Sequence, residues 1–284
     1  MSRFGVAYSV YDGEELLGPS LRAMRSHADY IAVVFSRHSY YGAAAAEGLE
    51  DLLRSLQAQG LIDELVEYKP EVFAKDGDRA RRREIEVEKR NVGLEMARAA
   101  RCDYFMSMDT DEFYDGDAFA HAKNTILKKG VTHSFVHILN YGRLPTQLSN
   151  IRKWEYFVPF FSKIVPGSVL GSPGTADRAP CLVDPTRIMS YFDGARDYVL
   201  EDIFMHHYTR VRADLGSKYV TRQVSSDIDA DWIDGETNFI AVPDYFALTD
   251  AIDPVGRPPG SDTRIRSLVR NTRAAVSGRR ARRE

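Results

Sequence analysis

Three observations predict that this 284-residue chain folds as an α/β protein with a mostly parallel sheet, flanking helices and an irregular C-terminal half. Short apolar β-prone runs alternate with amphipathic helical patterns over the first 115 residues, as in parallel strands covered by helices. The fourth such run ends abruptly in acids. The later runs are spaced by long loops rich in Gly, Pro and Ser. The reading divides the chain into a βαβ half over 1–115, a second half of the same domain over 116–245, and a linker with a basic tail over 246–284.

Phe4 to Val10 is the first strand, ending at the loop signature Tyr11-Asp12-Gly13. Pro19 is expected in the first turn of a helix carrying Leu21 and Met24, and Tyr30 to Ser36 is a second apolar strand. Ala43 to Gln59 places Leu49, Leu52, Leu53 and Leu56 at helical spacing. Glu64 to Tyr68 reads as a third strand, and the charged stretch Glu71 to Arg83 reads as a loop. A helix over 84–100 then leads into the strand Asp103 to Met108. Beyond it, Thr132–Leu139, Phe157–Val165, Arg187–Phe192 and Ile203–Tyr208 are strand candidates, and Val211 to Val224 reads as a helix. Asp253 to Gly260 is linker-like.

Composition narrows the function. Hydrophobic residues are 44% and charged residues 28% of the chain, the balance of an ordinary globular protein. Cys102 and Cys181 have no CxxC spacing, which excludes a disulfide scaffold and a cysteine zinc site. Apolar runs such as Tyr30 to Phe35 are far shorter than the roughly 20 residues that span a bilayer, and the N-terminus runs straight into a strand. No transmembrane segment or secretory signal is expected, and the chain is read as cytoplasmic. No Walker or dinucleotide glycine loop occurs, nor a Ser-His-Asp or Cys-His arrangement. Residues 262–284 hold eight arginines and two acids, a net +6, so the rest carries −9 of the overall −3. An acidic body fits metal chemistry. The basic tail, with Arg79 to Arg83, fits contact with a polyanion or an anionic membrane surface.

The chemistry centres on CDYFMSMDTDEFY, residues 102–114. Ligands of open α/β sheets bind beyond the carboxyl ends of strands. Three carboxylates within four residues repel one another there unless a divalent cation offsets them. Oxygen ligands favour Mg²⁺ or Mn²⁺, which bridge diphosphate oxygens. Alternate residues of an extended segment share a face, so Asp109 and Asp111 are expected to address one ligand together.

Tyr8 to Glu14, then Lys89-Arg90-Asn91-Val92-Gly93, then Met108-Asp109-Thr110-Asp111-Glu112-Phe113 resemble, in order and spacing, the GT-A-fold glycosyltransferases. The likeness is greatest to family-2-like members of bacterial or phage type and covers about residues 3–225. The resemblance implies a Rossmann-like GT-A sheet whose second half receives the acceptor. The activity it implies is metal-dependent transfer of a sugar from a nucleotide-diphosphate sugar to an acceptor hydroxyl. It further implies that Tyr11 and Asp12 meet the nucleotide base and that Lys89, Arg90 and Asn91 lie against the donor. In the same scheme Asp111 binds the metal, with Asp109 on the ribose or sugar and sharing the metal site.

Met205-His206-His207-Tyr208-Thr209-Arg210-Val211-Arg212 is similar to the segment where a histidine completes that metal site and a basic residue, here Arg212, follows. Neighbouring strand residues face opposite sides, so one histidine alone is the ligand, and the resemblance favours His207. An inverting transfer needs a carboxylate base for the acceptor hydroxyl. Asp193, Asp197, Glu201 and Asp202 are the candidates, with Asp202 first and Glu201 second. Trp154, Tyr156 and Phe157, with Tyr141 and Arg143, form a candidate acceptor platform or else core.

A glycan or small molecule is the favoured acceptor, ahead of a hydroxylated base in DNA or RNA and ahead of protein. The rival activities are a nucleotidyltransferase, and a non-catalytic sugar- or nucleic-acid-binding protein with a degenerate site.

Overall fold

The computed structural model describes residues 2–149, 156–211 and 239–248. The helix expected over Val211–Val224 lies outside the described residues beyond Val211, as do Arg212, Trp154 and the basic tail. The elements, in chain order, are β1 (Phe4–Val10), α1 (Glu14–Arg25), β2 (Tyr30–Phe35), α2 (Leu49–Ala58), β3 (Glu64–Glu67), α3 (Arg79–Ala99), β4 (Tyr104–Asp109) and β5 (Glu112–Phe113). They continue with α4 (Gly116–Lys129), β6 (His133–Asn140), β7 (Gln147–Ser149), β8 (Tyr156–Lys163), α5 (Thr175–Arg178), β9 (Leu182–Val183), β10 (Asp197–His207) and β11 (Phe239–Ala241).

One sheet runs in the order β3-β2-β1-β4-β8-β6-β10-β5, with β9 beside β8. The β1–β2, β2–β3 and β1–β4 pairs are parallel. In the second half β8 lies antiparallel between β4 and β6, and β5 lies antiparallel on β10. The expected mostly parallel sheet is thus parallel in its first half and mixed beyond β4. Long loops replace the βαβ crossovers there, and without a crossover nothing constrains neighbouring strands to run the same way.

The faces of β1 show why the helices sit where they do. Phe4, Val6, Tyr8 and Val10 enter one core with Leu17, Leu21 and Met24 of α1, Leu53 and Leu56 of α2, and Phe119 and Ile126 of α4. Ala7, on the other face, packs with Leu94 and Ala97 of α3. Small residues on that face let α3 approach closely. A Cβ on Gly93 would stand 2.5 Å from the Ala7 Cβ, and one on Gly5 would stand 2.8 Å from the Cys102 Sγ. Gly93→Ala is therefore expected to destabilise the protein by about 1–3 kcal/mol, since overpacking outweighs the gain in helix propensity. Urea unfolding would measure this, and unchanged or raised stability would contradict it.

Three expectations are corrected, and one further element appears. The basic cluster Arg79 to Arg83 is not loop but the first turn of α3, where the Asp78 carboxylate caps the Arg81 amide at 2.9 Å. Pro19 lies inside α1, not in its first turn. No strand forms over 187–192, where Leu170 and Met189 make only an isolated bridge. No element is expected over 116–129, yet α4 forms there, capped by Asp115 and burying Phe119, Ala122 and Ile126.

Candidate active site at the strand switch point

The chain lays β2 and β3 to one side of β1 and then crosses to place β4 on the other side. The carboxyl ends of β1 and β4 therefore flank a topological switch point, where open sheets leave a crevice. Ser9 of β1 pairs with Asp109 of β4, so the loop Tyr11-Asp12-Gly13 and the acids 109–112 meet there. The Thr110 hydroxyl ties them, donating to the Asp12 carbonyl at 3.0 Å. The Ser20 hydroxyl of α1 donates to the Glu112 carbonyl at 2.8 Å and so accepts from the Tyr8 phenol at 2.9 Å. The half-buried Tyr11 donates its hydroxyl to the carbonyls of Ala43 and Ala44.

The acids do not share one face as expected. β4 ends at Asp109, and the turn Thr110-Asp111 leads directly into β5, which breaks the two-residue alternation. Asp109 turns to two arginines, accepting from Arg90 at 3.1 Å and from the Arg187 Nη2 at 2.6 Å. Burial alone would raise its pKa, but these guanidinium charges hold it down at about 2. Asp111 is buried and turns to His207, whose Nε2 stands 3.7 Å from its Oδ1. Among the described residues, a group able to hold a metal ion is Asp111, Glu112 and His207, with one ligand atom of each within 4.8 Å of the others. Asp109, expected among the metal ligands, is an ion-pair partner instead.

β10 supplies the histidines. His207 pairs with Glu112 of β5 and with Asn140 of β6, and the Tyr208 amide donates to the Asp111 carbonyl at 2.8 Å. The His207 Nδ1 lies 2.9 Å from the Asn140 Oδ1. A carbonyl oxygen only accepts, so Nδ1 donates to Asn140 and Nε2 is the ring nitrogen on the Asp111 side. That is the arrangement by which an outer partner orients a ligating histidine. His206 faces the other side and is buried against Tyr141, Tyr208 and Phe246, with its Nδ1 2.7 Å from the Tyr141 hydroxyl.

Burial lowers the His206 imidazole to about 4. His133, deeper in the sheet at 1% exposure, is likewise lowered to about 4 by burial and then by the Arg178 charge. A histidine neutral in the fold but protonated at about 6.5 when unfolded stabilises the protein above pH 6.5, and that stability is lost as pH falls toward 4. The effect is on the order of 3 kcal/mol for His133. Urea midpoints between pH 7 and 4.5 should fall, and His133→Asn should flatten the slope. An unaltered slope would refute the assignment.

Lys89, Arg90 and Asn91 do not act together. Consecutive helical residues are about 100° apart, so the three diverge. Arg90 faces the acids and also binds Ser107 and Glu86 at 2.8 Å. Lys89 is buried and donates to the Val10 carbonyl at 2.7 Å, and burial lowers its amine to about 7 with Asp109 pulling the other way. Asn91 points away from the donor side. It receives the Leu170 amide at 2.8 Å and donates to the Leu170 carbonyl, clamping the 166–190 loop onto α3.

Glu201 and Asp202, the expected bases, sit in the irregular stretch of β10 between Val199 and Phe204, beside His121 and Thr125 of α4. Asp202 is five residues before His207, about 16 Å along an extended strand. A base must reach its proton within hydrogen-bond distance, and the structure sets both residues beside α4 and not in the group Asp111, Glu112 and His207. The platform also separates. Tyr141 is fully buried with His206, Phe157 packs on His137, and Arg143 is exposed.

Arg187 has no signal in the local sequence. It is 6% exposed and donates to both Glu112 oxygens, at 2.6 and 2.8 Å, and its Nε lies 3.1 Å from Asp184. The site thus gathers five carboxylates, Glu86, Asp109, Asp111, Glu112 and Asp184, around two guanidinium groups. That surplus of negative charge suits a divalent cation.

Among the described residues no helix is long and apolar enough to cross a membrane. No family model matches the chain, and no curated protein matches it in sequence. Among solved structures it is similar to TarS of S. aureus, with 12% identity, 49% of this chain and 22% of that chain covered, and a TM-score of 0.35. It is also similar to TarS 1–349 in complex with UDP-GlcNAc, with 13% identity, 49% and 35% coverage and a TM-score of 0.34. The complex of the same fragment with UDP matches at 14% identity, 49% and 36% coverage and a TM-score of 0.34. The chain spans 22–36% of the length of these matched chains.

Proposed function

We propose that this protein is a metal-dependent glycosyltransferase of GT-A type that moves a sugar from a nucleoside-diphosphate sugar to an acceptor hydroxyl. The observation that carries the reading is the pairing of Asp111 with an Nε2-facing His207 at the carboxyl ends of the switch-point strands. These two residues, with Glu112 adjacent, would hold Mn²⁺ or Mg²⁺. A bound cation supplies charge to offset the departing diphosphate. Arg90, buried against Asp109 at the end of β4, adds fixed positive charge behind the acids. Tyr11 and Asp12 border the crevice where the β1 loop opens and are assigned to the nucleoside. The acceptor is read, from the sequence resemblance alone, as a hydroxyl of a glycan or small molecule.

The test is nucleotide release from UDP-, GDP- and TDP-sugars with Mn²⁺ and then with EDTA. Metal-dependent hydrolysis of one donor establishes the reaction class. Pyrophosphate release from a nucleoside triphosphate, without sugar transfer, would replace this reading with a nucleotidyltransferase. Salt titration of the transfer reaction separates acceptors, since a nucleic-acid acceptor predicts a steep loss of activity with salt.

A further inference from the structure

The acidic turn presents a cation with more carboxylate than the geometry leaves available. Glu112 lies within ligand distance of Asp111 and His207, yet it is 1% exposed and both of its oxygens are engaged. The Arg187 Nη2 donates to Oε1 at 2.6 Å and Nη1 to Oε2 at 2.8 Å, while the Asp109 amide donates to Oε2 at 3.0 Å. Nη2 also holds the Asp109 carboxylate at 2.6 Å. A fork of this kind fixes a carboxylate in both position and direction. A cation bound to Glu112 would sit beside the guanidinium and be repelled by it.

Arg187 is also ion-paired with Asp184, whose carboxylate lies 3.1 Å from its Nε without hydrogen-bond geometry and accepts from the Thr186 amide at 2.9 Å; the loop before it bonds to α3 through Asn91 and Leu170.

We propose that Arg187 is a positioning residue that withholds Glu112 from the metal, leaving Asp111 and His207 as the protein's ligands. The inference rests on the nucleotide-sugar reading of this turn and deepens it. A roughly six-coordinate cation with two protein donors keeps most of its positions for phosphate oxygens and water. A third protein donor would bind the ion more tightly without substrate and leave fewer positions for the diphosphate. Arg187 thereby makes cation binding depend on the substrate.

The experiment is a titration of the full chain with Mn²⁺ alone, read by electron paramagnetic resonance, for the parent protein, Glu112→Gln, Arg187→Lys and the double variant. Glu112→Gln is expected to bind Mn²⁺ within threefold of the parent. Lysine cannot span both Glu112 oxygens and Asp109, so Arg187→Lys should free Glu112 and bind Mn²⁺ at least threefold more tightly. The double variant should return to within threefold of the parent. Weakening by more than threefold in Glu112→Gln makes Glu112 a ligand and overturns the inference. So does an Arg187→Lys affinity that is unchanged or weaker, the result a purely structural arginine would give. If Arg187→Lys does not fold, as judged by circular dichroism, Glu112→Gln decides alone by the same threefold limit. A parent protein that binds no Mn²⁺ overturns the metal reading itself, before any variant is compared.

Discussion

Asp111→Asn is expected to lower metal-dependent turnover of the nucleotide sugar by about 10³-fold, or about 4 kcal/mol of transition-state stabilisation. The change keeps the shape of a residue that is 4% exposed but removes the charge that faces His207. The protein should therefore fold while losing Mn²⁺ binding. His207→Ala should lose Mn²⁺ in the same way. His206→Gln, on the opposite side of β10, should change the unfolding midpoint more than the metal affinity. Turnover and Mn²⁺ titration of the three variants check this. Wild-type turnover in Asp111→Asn would remove the acidic turn from the chemistry, and equal metal loss in both histidine variants would remove the assignment of faces.

Arg187→Met is expected to cost about 1–3 kcal/mol of folding stability, because it leaves the buried Glu112 carboxyl, which burial pushes up to about 7, without its guanidinium and removes one of the two partners of Asp109. The loss comes mainly from the carboxylates left behind and not from the contacts themselves. Adding Glu112→Gln to Arg187→Met should accordingly recover about 1–2 kcal/mol, since a neutral amide costs less to bury than a charge. Urea unfolding at pH 7 of the two single variants and the pair measures the coupling. A loss below 1 kcal/mol in Arg187→Met would show that Glu112 is not held as an anion.

The parts of the fold legible in the sequence are those whose pattern is local. β1, β2 and β4 lie within a residue of their expected limits, because each is a short apolar run ended by a turn or acid. α2 is shorter than its pattern, starting only at Leu49. The apolar run Ile188, Met189, Tyr191 and Phe192 has strand-like composition. It curls instead, because Arg187 is drawn into the acids and the loop is anchored by Asn91. α4 carried a legible cap and apolar spacing, but the acids before it dominate the reading of that stretch.

The candidate site divides in the same way. Asp109, Asp111 and Glu112 stand together in the chain, and His207 is marked by its neighbours. Asn91 and Lys89 bond away from the acids, and residue type alone does not say which side of a helix faces the crevice. Asp202 adjoins the histidines in sequence, but five residues of strand span about 16 Å. Arg187, 75 residues from Glu112, left no trace in the local pattern.

The sequence by itself determined the alternation of strands and helices, the burial of β1 and β4, and the concentration of acids at a strand end. Those follow from the period of apolar residues and from turn chemistry, which act over a few residues. Only the tertiary structure decided which acid meets an arginine and which faces His207. Those pairings depend on how the Thr110-Asp111 turn reverses the chain and on a mixed second half closing against the first. Electrostatic pairing is set by distance in space, and residues 75 positions apart acquire that distance only when the sheet is complete.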